Sequence, residues 1–167
     1  MTLTPEIRGK QVRRNKAYED VINLLWIGSK SGNKQEKVFN DIKDIIVFAA
    51  MVGKKFEKRE AVSKDNQGIL LDTFAGGGSM RDSRVDQHNI LFMFAMLNHQ
   101  DMDYMRDEKI DEVIDEFEQY SNGGLNLMQS WIAQSAYDPL CLLEKMIDQI
   151  SKSSSDTGMI VEDNPFA

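Results

Sequence analysis

Apolar residues recur at helical spacing through most of the chain. In residues 17–27, Tyr18, Val21, Ile22 and Leu25 follow the i, i+3, i+4, i+7 pattern of a helix that buries one face. Comparable stripes predict five further helices, over residues 38–52, 85–97, 109–120, 125–136 and 139–150. The pattern therefore predicts an all-α or mainly α domain of five or six packed helices.

Glycine and asparagine residues mark where two of these helices are expected to end. Gly53 directly follows the apolar run of the second helix, and we expect it to cap the helix C-terminus. The Asn122-Gly123-Gly124 step separates the fourth and fifth helices. Asn122 and Gly123 readily take positive φ, so we expect the fifth helix to leave at a sharp angle.

One segment favours a β-strand, and the last predicted helix has an apolar stripe like those of the other helices. Residues 68–74 (GILLDTF) are short and rich in strand-compatible side chains, so the fold contains at most one short strand or hairpin. In the helix over 139–150, we expect an apolar face to enter the core. It consists of Leu142, Leu143, Met146, Ile147 and Ile150.

The composition changes at both ends of the chain. Residues 1–16 are polar and basic and are predicted to form an N-terminal arm, while residues 17–150 form the helical domain. Residues 151–167 begin with a serine-rich stretch and continue into an acidic segment, which predicts a flexible linker and tail. Phe166, near its end, is a candidate docking anchor.

The net charge of −7 is distributed unevenly. Residues 1–60 carry 13 Lys and Arg against 8 Asp and Glu, whereas residues 61–167 carry 7 against 19. A basic part of this kind can approach DNA phosphates. The candidate DNA-binding residues are Arg13, Arg14, Lys54, Lys55, Lys58 and Arg59. Ordinary solvated faces, and the attraction of cations to the end of a helix, explain the same charges without DNA.

Sites for catalysis, cofactors and metals are not indicated. No Gly-x-Ser-x-Gly or phosphate-loop motif occurs, and His88 and His99 are too far apart along a helix to share an ion. The single cysteine, Cys141, lies in an apolar stretch and is expected in the core. The carboxylates along residues 111–118 are interpreted as a solvated helix face. We therefore assign no catalytic, cofactor-binding or metal-binding residue, and we expect the protein not to be an enzyme.

Two segments resemble a known protein family. Residues 39–59 (FNDIKDIIVFAAMVGKKFEKR) and 116–127 (EFEQYSNGGLNL) are similar to motifs of Dnd system-associated protein 4, with Ser121 in place of the usual alanine. The resemblance extends over residues 38–130. It implies an accessory protein encoded beside bacterial DNA phosphorothioation and restriction genes that defend against phage, and it brings no catalytic residues with it.

These observations favour a non-enzymatic adaptor that acts through protein–protein contacts, with a DNA-binding accessory protein as the alternative. The second helix is apolar around most of its circumference, which is typical of a central or shared helix. Its residues Phe48 and Met51, together with Phe166, are the candidate partner-binding residues. Expected partners are other proteins of a modification or restriction complex, with DNA and a second copy of the chain as further candidates. With no apolar run of about 20 residues, we expect a soluble cytoplasmic protein and no membrane partner.

Overall fold

The computed structural model describes residues 4–30, 37–75, 87–136 and 138–156. These ranges contain seven α-helices and one two-stranded sheet. In chain order the elements are α1 (Pro5–Arg8), β1 (Gln11–Asn15), α2 (Glu19–Leu25), α3 (Ile42–Lys55), β2 (Asn66–Leu70), α4 (Leu71–Phe74), α5 (His88–His99), α6 (Ile110–Gln134) and α7 (Cys141–Asp156). The prediction of a mainly helical fold is confirmed, with more helices than the five or six expected.

Helix α6 is continuous through the segment where the sequence predicted a break. It runs for 25 residues, and Asn122, Gly123 and Gly124 are buried within it. Neither Asn122 nor the two glycines take positive φ, so the prediction of a sharp turn here is wrong. The glycines weaken the helix locally, but tertiary contacts compensate because these residues lie against neighbouring backbone.

Helices α3 and α6 contact each other backbone to backbone. A Cβ atom added to Gly124 would overlap the carbonyl oxygen of Ala49, and one added to Gly53 would overlap that of Tyr120. At the preceding residue of α6, a Cβ on Gly123 would overlap the carbonyl oxygen of Lys58, in the loop after α3. The glycines are therefore required by close packing, since no side chain fits between the two main chains.

The end of α3 is formed differently from the prediction. Gly53 is buried inside the helix, which continues to Lys55. Glu57 then takes a left-handed conformation with φ 47°, and the Lys58 amide donates to the Gly53 carbonyl at 2.8 Å. This is a Schellman-type termination, and it turns the following loop back towards α6.

The sheet joins a segment predicted as an arm to a segment only partly predicted as a strand. β1 and β2 pair antiparallel, with Val12 opposite Ile69. Residues 5–15 therefore do not form a free arm, because Ile7 and Val12 are buried in the core. Only the first part of the predicted strand over 68–74 is extended, and Leu71 begins the short helix α4.

The core is centred on α3 and α6, and aromatic side chains close it on the α5 side. The rings of Phe74 and Phe94 pack against that of Phe117 in T-shaped contacts, at centroid distances of 6.3 and 5.5 Å. Cys141 is buried and free of disulfide bonds, as expected. No helix in the described ranges has both the length and the apolar character required to cross a membrane.

At the C-terminal end, α7 extends into residues that were predicted as linker. The helix continues through 151–156, so this first part of the serine-rich segment is helical. An intrahelical ion pair between Lys152 and Asp148 at 2.7 Å supports the extension. The remainder of the predicted linker and tail, residues 157–167, lies outside the described residues.

The glycine contact predicts a large effect from one methyl group. We expect Gly124→Ala to lower the free energy of unfolding by roughly 2–3 kcal/mol, because α3 and α6 must move apart. This loss should appear although alanine is the better helix former by about 1 kcal/mol. Gly9→Ala is the control, since its added Cβ would lie 3.6 Å from its nearest neighbour, at φ −74°. Equal urea midpoints for Gly124→Ala and Gly9→Ala would argue against a close backbone contact between α3 and α6.

At Ser121 we predict that a substitution raises the free energy of unfolding. Its hydroxyl is buried on α6 and has no hydrogen-bond partner among the described residues. Removing it should stabilise the protein, because an unpaired buried hydroxyl is costly. Ser130→Ala on the same helix serves as control for helix propensity, since Ser130 is exposed. In chemical unfolding, we expect the free energy of unfolding of Ser121→Ala to be about 1 kcal/mol higher than that of Ser130→Ala. A lower value for Ser121→Ala than for the control would refute this account.

Candidate partner-binding face

An apolar groove opens where the start of α7 lies near α3. Its volume is about 250 Å³, and it is lined by Val38, Phe39, Phe48, Pro139, Leu140, Leu142, Leu143 and Met146. All eight lining residues are apolar. A partner could therefore bind in the groove through fit and apolar contact, but it would find no side chain there with which to form a hydrogen bond.

The walls of the groove are held in place by backbone hydrogen bonds and ring packing. Phe39 donates from its amide to the Leu25 carbonyl at 3.0 Å, and its own carbonyl accepts from the Ile27 amide at 2.9 Å. The rings of Phe39 and Phe48 pack at a centroid distance of 5.5 Å. On the other side, Cys141 and Leu142 are buried, so they anchor α7 to the core.

Four large apolar side chains are exposed at the groove; three of them line it, and Ile147 follows them on α7. Leu140, Leu143, Ile147 and Val38 are 62%, 60%, 54% and 54% exposed. The first three follow an i, i+3, i+7 spacing that begins one residue before α7 and continues along one side of it. We call the groove together with these four residues the α7 face. An apolar surface of this kind is typical of a protein interaction site.

The structure corrects the predicted orientation of α7. The expected core face included Leu142, Leu143, Met146 and Ile147, yet Leu143 and Ile147 point to solvent while Leu142 is buried. Ile150 lies in α7, but its side chain is not described. Helix α7 thus carries two apolar stripes, one in the core and one exposed. The second stripe is the feature that periodicity alone did not separate from the first.

The candidate partner-binding residues fall at different places relative to the α7 face. Phe48 lines the groove. Met51, further along α3, is exposed but does not line the groove. Phe166 lies outside the described residues. Their proposed role in binding remains a prediction.

Arg13, a candidate DNA-binding residue, is bound by a buried carboxylate. Its Nε and Nη2 atoms donate to Glu118 at 3.0 and 2.8 Å, and its backbone amide donates to the same carboxylate at 2.6 Å. The Glu118 side chain is fully buried, whereas that of Arg13 is 45% exposed. Burial raises the pKa of Glu118 despite the opposing effect of Arg13, and the hydrogen bond to Glu118 raises the pKa of Arg13.

Arg14 is inaccessible to a phosphate. Its side chain is 2% exposed, and its guanidinium donates to Glu19 at 2.7 Å and to Gln67 at 3.2 Å. Both arginines of β1 therefore hold the sheet to the rest of the fold. Each already has an acidic partner within this chain.

The structure brings Lys54 and Arg59 together against one aromatic ring of α6. The Lys54 Nζ atom lies 5.3 Å, and the Arg59 guanidinium carbon 4.4 Å, from the centroid of Tyr120. Lys54 also pairs with Glu57 at 2.9 Å, and Arg59 with Glu116 at 2.6 Å. These contacts direct both cations onto their own chain.

Lys55 and Lys58 are the two candidate cations that remain available. Both are exposed, and neither forms an ion pair with any described residue. Arg13 lies on a different side of α6 from these lysines. Arg59, which directly follows Lys58, pairs with Glu116, whereas Arg13 pairs with Glu118. Two consecutive steps along a helix turn roughly 200° around its axis, so the two carboxylates point in different directions. The six candidates thus do not form one continuous basic surface.

A buried polar network, which the sequence analysis missed, connects β1, the loop after α3 and α6. The Asn122 Oδ1 atom accepts from the Asn15 amide at 2.8 Å, and Asn15 Nδ2 donates to Glu60 at 2.9 Å. The Tyr18 hydroxyl donates to Glu60 at 2.6 Å and accepts from Asn126 at 3.0 Å. Burial and the Glu60 hydrogen bond raise the pKa of Tyr18 to about 12, so the hydroxyl stays protonated at neutral pH.

The acidic side of α6 is also less solvated than predicted. Glu116 and Glu118 are both buried. Glu116 accepts from Arg59 and Asn98, both at 2.6 Å, and it lies 3.1 Å from the Nε2 atom of His99. Two carboxylates of the supposed solvated face are therefore structural partners of cations and amides.

Metal ligation has no evident site in the described part of the chain. No three His, Cys, Asp or Glu side chains there are grouped so that they could hold an ion. His88 is buried with its ring edge-on to Phe92 at 6.4 Å, while His99 stacks on Tyr104 at 4.1 Å. Each histidine thus packs against an aromatic ring, and His99 also lies beside the Glu116 carboxylate.

The Arg13 geometry makes a prediction that separates a structural role from DNA contact. Arg13→Ala leaves the Glu118 carboxylate buried without its cation, so we expect the free energy of unfolding to fall by about 2–3 kcal/mol. Lys58→Ala, the exposed control, should change it by less than about 0.5 kcal/mol. Adding Glu118→Gln to Arg13→Ala should restore part of the loss, because a neutral amide is less costly to bury. Equal stability of the two single variants in urea unfolding would argue against the ion pair.

Comparison with known proteins places the chain in a family. It matches the family described as DNA sulphur modification system-associated protein 4 over residues 11–163. The match is wider than the resemblance over 38–130, and it adds β1, α2 and the whole of α7. No curated protein matches the chain, and no solved structure does. The chain belongs to the family of DNA sulphur modification system-associated protein 4.

Proposed function

We propose that this protein is a non-enzymatic accessory protein of a bacterial DNA sulphur modification or restriction system that defends against phage. It works in the cytoplasm as an adaptor, through contacts with other proteins of that system. The observation that carries this proposal is the α7 face. Four large apolar side chains are exposed there, three of them lining a groove whose side chains are all apolar, and covering such a surface with another protein is favourable.

The ion pairs that the basic residues form within this chain favour protein contact over DNA contact. Four of the six candidate cations are paired with carboxylates of their own chain. A phosphate would have to compete with those carboxylates, in a molecule whose net charge of −7 repels nucleic acid.

DNA binding through Lys55 and Lys58 is the alternative function. Both are exposed and project from the end of α3, close to the half-exposed Arg59. Binding of this kind would weaken steeply with salt. It would also disappear when both lysines are changed to glutamate, whereas binding through protein contacts would not.

The proposed function is tested by affinity capture from the native host, with nuclease treatment of the lysate. We expect proteins of the sulphur modification system to be retained by the tagged wild type after nuclease treatment. Leu143→Asp should reduce their recovery at least tenfold, since it places a charge in the centre of the α7 face.

Leu97→Asp provides the matched control for the capture experiment. Leu97 is 58% exposed on α5, compared with 60% for Leu143 on α7, so the two substitutions are alike except for position. Recovery with the control should equal that with the wild type. Loss of all partners after nuclease treatment would favour the DNA-binding alternative, and equal recovery with both aspartate variants would show that the α7 face is not the binding surface.

A further inference from the structure

We propose that Asn122 is a site of spontaneous deamidation, and that the docking of β1 onto α6 keeps it from reacting. Asn122 and Gly123 form the one Asn-Gly step in the chain. Asparagine deamidates fastest before glycine, because glycine has no side chain to hinder the attacking nitrogen or to restrict its rotation. The fold thus encloses a chemically labile step within the 25-residue helix α6.

The reaction uses only the chain and water. The backbone nitrogen of Gly123 attacks the side-chain carbonyl carbon Cγ of Asn122, so an N–Cγ bond forms. The Cγ–Nδ2 bond breaks, and ammonia leaves with the proton that the Gly123 nitrogen has lost. Water then opens the five-membered imide at one of its two carbonyl groups, which gives aspartate or isoaspartate.

The helical main chain opposes the first of these steps. In an α-helix the ψ angle is about −42°, which turns the Gly123 nitrogen away from the Asn122 side chain. The Gly123 amide also donates the helical hydrogen bond to the carbonyl four residues earlier, so its proton is not readily lost. The attack therefore requires that α6 opens at this point.

The docking of β1 fixes the amide that would react. Asn122 is completely buried, which excludes the water that the second step needs. Its Nδ2 atom donates to the Glu118 carbonyl at 2.8 Å, and its Oδ1 atom accepts from the Asn15 amide at 2.8 Å. Asn15 belongs to β1, so release of β1 frees the Asn122 oxygen and exposes the side chain.

Two structural requirements place these labile residues next to each other. Position 122 must donate and accept at once, which an amide does and an ionised carboxylate does not. Position 123 must lack a Cβ atom, because one would overlap the Lys58 carbonyl oxygen. The chain therefore cannot remove the labile step without losing one of the contacts that join α6 to its neighbours.

Deamidation would prevent β1 from docking again. An aspartate at 122 adds a buried negative charge to the part of α6 where the Glu118 carboxylate already depends on Arg13. It also leaves the Glu118 carbonyl without its donor. Isoaspartate lengthens the main chain by one carbon and so interrupts the helix. Each reaction is irreversible, and altered chains accumulate with the time that β1 spends away from α6.

The first experiment measures the rate at Asn122 in the folded and the unfolded chain. The full chain is incubated at neutral pH with and without denaturing urea, and aspartate and isoaspartate are located by peptide mass spectrometry. In urea, Asn122 should react at least about tenfold faster than Asn126, which precedes the bulky Leu127. Without urea, the rate at Asn122 should fall at least about a hundredfold, because only the rare open state reacts.

Either comparison can overturn the proposal. A rate in urea no higher at Asn122 than at Asn126 would show that the Asn-Gly step is not labile. Equal rates at Asn122 in the folded and the unfolded chain would show that the fold gives no protection.

The role of β1 is tested with Arg13→Ala, which weakens the attachment of β1 to Glu118. Without urea, it should raise the rate at Asn122 at least about tenfold over Lys58→Ala, because the open state becomes more populated. Equal rates in the two variants would refute protection by β1. Wild type in urea below its midpoint repeats the test without a substitution. Its rate should rise with the open fraction, and a rate independent of urea would overturn the proposal.

Asn122→Asp reproduces the aspartate product directly. We expect its equilibrium constant for unfolding to be at least about tenfold higher than that of wild type. Asn89→Asp is the matched control, since Asn89 is exposed on α5, and it should unfold nearly as wild type does. An Asn122→Asp variant as stable as this control would refute the claim that deamidation keeps β1 from docking.

Discussion

The close contact between the backbones of α3 and α6 determines where the other elements lie. With glycine at positions 53 and 124, the carbonyl groups of each helix reach the main chain of the other. The same approach brings the Tyr120 ring beside Lys54 and Arg59. It also leads the loop after α3 along α6, where Glu60 joins the buried polar network.

The polar interior engages two of the basic residues that the sequence offered as candidates for DNA contact. Glu116 and Glu118 are buried on α6 and need cations, which Arg59 and Arg13 supply. A charge count along the sequence treats these arginines as free, but the fold uses them internally. Among the described residues, the apolar stripe of α7 remains exposed, and the proposed contact with other proteins is based on it.

Much of the helical content could be read from the sequence, because one-sided apolar periodicity is a local property. The continuity of α6 could not, since Asn122 and the adjacent glycines signal a break unless a neighbouring backbone occupies the space that side chains would fill. At Gly124 the obstructing atom belongs to the main chain of Ala49. No substitution at position 49 can therefore compensate for a larger residue at 124.

β1 and the α7 face were missed for different physical reasons. β1 contains one buried apolar residue, Val12, and its other buried positions are the polar Arg14 and Asn15. A pattern based on hydrophobicity cannot recognise such a strand. In α7 both stripes are apolar, and only the position of the neighbouring elements decides which of them is buried.

The attachment of β1 to α6 also has a consequence for how the chain assembles during synthesis. Arg13 and Glu118 are separated by 105 residues, and Asn15 and Asn122 by 107. At translation rates of about 5–20 residues per second, β1 waits roughly 5–20 s for its partners on α6. During that interval β1 can pair with β2 but not yet with α6, so factors that bind unfolded chains can meet this segment before α6 covers it.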